Sequence, residues 1–177
     1  MLEPHLWRGL AAINSLSMDT RFRKTKCVAE RRSKGKLYVG EDRMDGTKCT
    51  IRKMCLDVTN AGKDDGFPTS VLRELSHLKS LDSPYVAKVI QAEVNDKVVQ
   101  ICFEHGMNLK DYVRRHTSKN EGLTLSQIKS ITKQILIALM FCHSKGLMHR
   151  NLKPDNILVS DSGQVKICDF TLSRIGV

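Results

Sequence analysis

Between His149 and Thr171 the chain reads His-Arg-Asn-Leu-Lys-Pro-Asp-Asn (149–156), an Ile-Leu-Val run (157–159), Asp161-Ser162-Gly163, and then Val-Lys-Ile-Cys-Asp-Phe-Thr (165–171). No other stretch restricts the fold as strongly. Two apolar runs of strand length on either side of a tight turn predict a hairpin. Polar residues flank it at both ends: His149, Arg150, Asn151, Lys153 and Asn156 before it and Asp169 after it. Taken singly, each is an ordinary loop residue; as an ordered set they are not.

The order resembles the heart of a protein kinase, whose catalytic loop reads His-Arg-Asp-Leu-x-x-x-Asn and whose magnesium loop reads Asp-Phe-Gly. His149, Arg150, Asn156, Asp169 and Phe170 agree with it, and Lys153 stands where serine/threonine kinases carry a loop lysine. The resemblance implies an α+β, kinase-like fold. A five-stranded antiparallel small lobe with one helix is expected over 21–104. An incomplete, mainly helical large lobe is expected over 105–177, ending in the activation segment, with 1–20 as a disordered extension. ATP and magnesium are the implied cofactors, with Asn156 and Asp169 holding the metal.

Two positions depart from the pattern. Asn151 replaces the aspartate base, and a neutral amide orients a hydroxyl but does not take its proton. A positioned base contributes roughly 10²- to 10⁴-fold to a rate, so phosphoryl transfer is expected to be impaired or lost. Thr171 replaces the glycine of the magnesium loop, and a β-branched residue is stiff and disfavours positive φ.

Of 177 residues, 41% are hydrophobic and 27% charged, the balance of a folded chain. The net charge of +10 is local. Arg21 to Lys36 holds Arg21, Arg23, Lys24, Lys26, Arg31, Arg32, Lys34 and Lys36 against Glu30 alone, so eight positive charges less one leave +7 there. The rest is nearly balanced, which argues against a general nucleic-acid surface. A solvated face is the default for such a run, with nuclear import, a polyanion contact or a phosphate-facing loop as alternatives. The six cysteines have no zinc or disulfide spacing and suit a reducing compartment, nucleus or cytoplasm. No apolar run reaches membrane-span length, and residues 1–20 lack a secretory pattern.

Along the chain, Lys36–Val39 and Lys48–Met54 read as strands about an Asp45-Gly46 turn. They resemble the opening strands of a kinase small lobe. A phosphate loop would then run from Glu30 through Arg32 to Gly35, with only Gly35 left of the family's three glycines. In the third strand Cys49-Thr50-Ile51-Arg52 falls on Val-Ala-Ile-Lys. Because strand side chains alternate, Arg52 shares the face of Thr50 and Lys53 does not. Arg52 is the phosphate candidate, an exchange that alters reach and geometry.

Gly66 to Leu81 combines a proline suited to a first turn with Val71, Leu75 and Leu78 at helical spacing. It resembles the Pro-Ser-Thr-Ala-Ile-Arg-Glu helix that cyclin-dependent kinases present to cyclin. The match puts Glu74 on the acid that pairs with the third-strand cation, and Arg73 on the arginine that reads a phosphorylated activation loop. A cyclin-like partner is implied. Val86–Ala92 and Val98–Glu104 read as strands about Asn95-Asp96. The resemblance sets Phe103 behind the nucleotide and Glu104, His105 and Gly106 as the hinge facing adenine. Thr124–His143 reads as a helix with a Thr124/Gln127 capping box, an apolar face of Ile128, Ile131, Ile135, Leu139 and Cys142, and Gly146 as its stop.

The chain ends shortly after Thr171, whereas active relatives continue through an Ala-Pro-Glu element and further helices. A truncated, degenerate cyclin-dependent-kinase homologue is therefore expected, with apolar surface of helix 124–143 left wet. At about 25 cal/mol per Å², a few hundred Å² costs several kcal/mol, which predicts marginal stability or reliance on a partner. A non-catalytic module that binds a cyclin-like protein, and an active kinase, are the competing functions.

Overall fold

In the computed structural model residues 17–31, 35–55, 69–94, 98–118 and 122–176 are described. Ser17 caps a one-turn helix, α1 (Met18–Arg21), by accepting from Thr20 N. Strands β1 (Phe22–Arg31), β2 (Gly35–Asp42), β3 (Lys48–Cys55), β4 (Val89–Val94) and β5 (Val98–Glu104) follow, in the antiparallel order β1-β2-β3-β5-β4. This is the five-stranded sheet expected from the sequence. The turn into β3 uses Gly46 at φ +74°, with Thr47 N donating to Asp45 Oδ1 at 2.8 Å, so Asp45-Gly46 is a true turn. The edge strand β1 slips register against β2 twice, between Lys24 and Lys26 and between Cys27 and Ala29.

Two of the expected boundaries are corrected. Residues 17–20 are not a loose extension: Met18 is buried and joins Phe22, Cys49, Ile51 and Cys102 in the sheet's core. Burying a methionine contributes roughly 1.5–3 kcal/mol, enough to order the turn that carries it. Arg21 fixes that turn further through Nε to Asp42 Oδ2 at 2.8 Å. Residues 1–16 lie outside the described residues. The fourth strand begins at Val89 instead of Val86, because Val86 forms a parallel bridge with Ile167 and Ala87 N donates to Ile167 O. The Asn95-Asp96 turn lies outside the described residues.

The chain divides into two units, Met1–Pro68 with Val89–His105 and Thr69–Lys88 with Gly106–Val177. Residues 69–88, assigned from the sequence to the small lobe, belong to the second unit. That unit contains α2 (Thr69–Ser80), β6 (Met107–Asn108), α3 (Leu109–Thr117), α4 (Leu125–Ser144), β7 (Leu147–Met148), β8 (Ile157–Val159), β9 (Val165–Ile167) and β10 (Arg174–Ile175). The predicted hairpin is β8–β9, joined to β6 on its other side. The capping box at Thr124 and Gln127 forms as expected, and Gly146 adopts φ +68° after the helix end.

One face of α4 differs from expectation. Ile131, Ala138 and Cys142 are buried, but Ile128 is exposed beside Leu125, Leu136 and Met140, so Ile128 belongs to an exposed apolar stripe and not to the core. No helix among the described residues is long and apolar enough to cross a membrane.

Helix α2 packs on the 3-10 turn Phe170–Leu172. Leu75 and Leu78 are buried as their spacing predicts; the side chain of Val71 lies outside the described residues. His77 Nδ1 meets Ser173 Oγ at 2.7 Å, and Ser173 Oγ donates to Phe170 O at 2.6 Å, so the imidazole donates to the hydroxyl. Burial holds His77 below the ordinary histidine range near 6.5. The unfolded chain therefore binds a proton that the folded chain resists, and stability falls as pH drops below about 6.5. Urea midpoints at pH 7.5 and 5.5 are expected to show that loss in the wild type and a smaller one in His77→Gln.

Candidate functional site

The sheet supplies one set of residues. Gly35 opens β2 at φ +73°, where an added Cβ would lie 2.2 Å from the carbonyl oxygen of Lys53. Backbone packing between β2 and β3 alone therefore requires glycine there. Glu30, expected close to phosphate, pairs across the strands with Lys36, Nζ to Oε1 at 3.3 Å. Arg32 lies outside the described residues.

In β3, alternation buries Cys49 and Ile51 on one face and turns Thr50 and Arg52 to the other. Arg52 is buried and its guanidinium lies over the Phe103 ring, 5.2 Å from the centroid. Thr50 sits directly opposite Phe103, and its Oγ1 meets His105 Nδ1 at 2.9 Å. Thr50, Arg52, Phe103 and His105 thus form one cluster on the sheet. Glu104 pairs in register with Cys49 and is half-buried.

Loops of the second unit supply the other set. Arg150 and Asp169 both adopt left-handed backbone, φ 64° and φ 66°, which non-glycine residues hold only when their surroundings enforce it. Hydrogen bonds to the buried His149 provide that enforcement. Its Nε2 faces Cys168 O at 3.0 Å and its Nδ1 accepts from Asn151 N at 3.2 Å, so the proton sits on Nε2. Asn156, also buried, donates Nδ2 to Asn151 O at 2.7 Å, and its own carbonyl accepts from Cys168 N at 2.9 Å. These bonds tie residues 149–156 to 168–169 across the base of the hairpin.

The tie brings Asn151, Asn156 and Asp169 together. Asn151 Nδ2 donates to Asp169 Oδ2 at 3.3 Å; a carboxylate only accepts, so the amide nitrogen must be the atom facing it. Thr171 Oγ1 donates to Asp169 Oδ1 at 2.6 Å. Lys153 is exposed, and only its backbone enters the network, accepting from Asn156 N at 2.8 Å. Gly106 packs against Leu158, where an added Cβ would meet the leucine Cβ at 3.0 Å. Glu74 and Arg73 lie on α2; Glu74 is fully buried and Arg73 half-buried.

Sequence reasoning missed two contributions. Thr171 was expected to act only by stiffness, yet its hydroxyl binds the neighbouring carboxylate. A hydroxyl two residues after an aspartate was the available signal. The His77–Ser173 bond had none, because 96 residues separate the partners.

A magnesium ion suits the loop residues. Asp169 offers a carboxylate, and Asn156 keeps its amide oxygen as an acceptor after its nitrogen is used. Among the described residues there is no group of three or more His, Cys, Asp or Glu able to hold a metal alone. One carboxylate with an amide oxygen matches magnesium, which takes few protein ligands and completes its shell with phosphate and water.

The family model described as protein kinase domain matches residues 33–176.

Proposed function

The chain belongs to the protein kinase family, and from that premise we propose an ATP-binding protein whose transfer of phosphate to protein is impaired or lost. The observation that carries this is the Asn151 amide, which directs an N–H at Asp169 and offers no proton acceptor where the family has its base. Asn156 and Asp169 are the residues that would hold a magnesium ion arriving with the nucleotide, and the ion would neutralise phosphate charge. Arg52, buried and stacked on Phe103, is the phosphate cation, and the family resemblance assigns the buried Glu74 as the acid of the helix. Gly35 belongs to the phosphate loop, and Phe103, Glu104 and Gly106 to the adenine-facing side. Lys153, with its side chain in solvent, stands at the position of the catalytic-loop lysine of serine/threonine kinases.

Residues 66–81 support a cyclin-dependent-kinase-like subtype and a cyclin-like partner, with the nucleus or cytoplasm as the site of action. Docking through Leu75 has no support, since that side chain is spent on the chain's own core.

Thermal unfolding with millimolar ATP and magnesium is expected to raise Tm by several degrees, as a ligand at about 100 times its Kd adds roughly 2.7 kcal/mol. Labelled phosphate incorporation is expected to stay near background. No shift removes the nucleotide claim, and strong incorporation that Asp169→Ala abolishes establishes an active kinase instead.

A further inference from the structure

The two positions at which the loops depart from the family pattern, 151 and 171, both donate to Asp169. Asn151 reaches Oδ2 and Thr171 reaches Oδ1, so each oxygen of one carboxylate has its own side-chain donor. Neither an aspartate at 151 nor a glycine at 171 could donate through its side chain. An aspartate at 151 would set two carboxylates against each other at the same separation. Like charges that close require one of them to hold a proton or a cation to come between them. The amide reverses the sign of that contact.

We propose that Asn151 and Thr171 stand in for a divalent cation. By donating to both oxygens of Asp169 they hold its carboxylate, so the loop residues keep their geometry, and take a nucleoside triphosphate, with no metal bound. The nucleotide part rests on the function proposed above; the geometric part does not. The remaining bonds of the network fit a carboxylate fixed in advance. Asn151 is itself held at its backbone N–H by His149 and at its carbonyl by Asn156, so its amide is aimed by two further contacts. Thr171 is buried within the 3-10 turn Phe170–Leu172, which orients its hydroxyl. Both are positioning residues that act through Asp169.

The test is thermal unfolding of the full chain in EDTA and in millimolar Mn²⁺, for wild type, Asn151→Asp and Thr171→Val. Wild-type Tm is expected to be the same in both, within about 1 °C, because Asn151 and Thr171 already order the carboxylate that a lone cation would otherwise order. Asn151→Asp is expected to melt lower in EDTA and to recover by about 4 °C or more in Mn²⁺. Thr171→Val, which keeps the shape and removes one donor, is expected to gain a smaller response to Mn²⁺, and answers the question should Asn151→Asp not fold. A merely structural role for either side chain would lower Tm equally in both solutions. Stabilisation of the wild type by Mn²⁺ as large as that of the variants overturns the proposal, as does a lack of response in both variants.

Binding of a fluorescent ATP analogue to the wild type is expected to differ by less than about threefold between the two solutions, a change well under the tenfold of 1.4 kcal/mol. Binding only in Mn²⁺ overturns the proposal. Absence of binding in both, with the variants still responding to Mn²⁺, removes the nucleotide function and leaves the role of Asn151 and Thr171 intact.

Discussion

Truncating Phe170 to alanine is expected to cost about 3–5 kcal/mol and, for a protein near the lower end of the usual 5–15 kcal/mol margin, to abolish the cooperative unfolding transition. The ring is fully buried. It meets the His149 imidazole edge-on, with centroids 4.6 Å apart and planes at 63°, and that imidazole holds both Asn151 and Cys168. The Phe170 carbonyl accepts from Ser173 N and Oγ, which links the same turn to His77 on α2. Removing the ring therefore opens a cavity where two loops and a helix converge, and none of them can close it without breaking a hydrogen bond. Urea denaturation followed by circular dichroism is the measurement. Phe170→Leu should retain a transition at reduced midpoint, and a loss below about 1 kcal/mol for alanine would mean that the site collapses around the gap.

Restoring a carboxylate with Asn151→Asp is expected to raise phosphoryl transfer by roughly 10²- to 10⁴-fold, the usual contribution of a positioned base. The Asn151 backbone is already anchored at its N–H by His149 and at its carbonyl by Asn156, so the new side chain arrives on a fixed stem. The comparison needs saturating ATP and magnesium, read as labelled phosphate released or incorporated. A rise in kcat with little change in KM marks an interaction made in the transition state alone. An unchanged rate, with nucleotide still bound, would show that something other than the absent base limits the chemistry.

Much of this was legible in the sequence because the relevant forces are local. Alternation over Lys48–Met54 separated Arg52 from Lys53, and the structure buries Arg52 against Phe103. Thr124 and Gln127 announced the start of α4 because the capping bonds span three residues. The hairpin from Ile157 to Ile167 followed from two apolar runs and a turn. What failed to show was decided at long range. Met18 looked like part of a loose tail, since nothing near it in sequence reports that Phe22, Cys49, Ile51 and Cys102 converge on it. Val86 has strand character but finds Ile167 as its partner, 81 residues on. Ile128 keeps the spacing of a core face, yet spacing cannot tell whether another element arrives to cover it.

The slipped register of β1 bears on solubility. An outermost strand offers a row of unpaired amides and carbonyls onto which a foreign strand can add, the first step of runaway sheet growth. Ten residues is long for such a margin. The two kinks at Lys24–Lys26 and Cys27–Ala29 interrupt that row twice, and an incoming straight strand would fall out of step after a few residues. Ironing out either kink by deleting one residue should make the protein more prone to form fibrils while leaving the loops around Asp169 untouched.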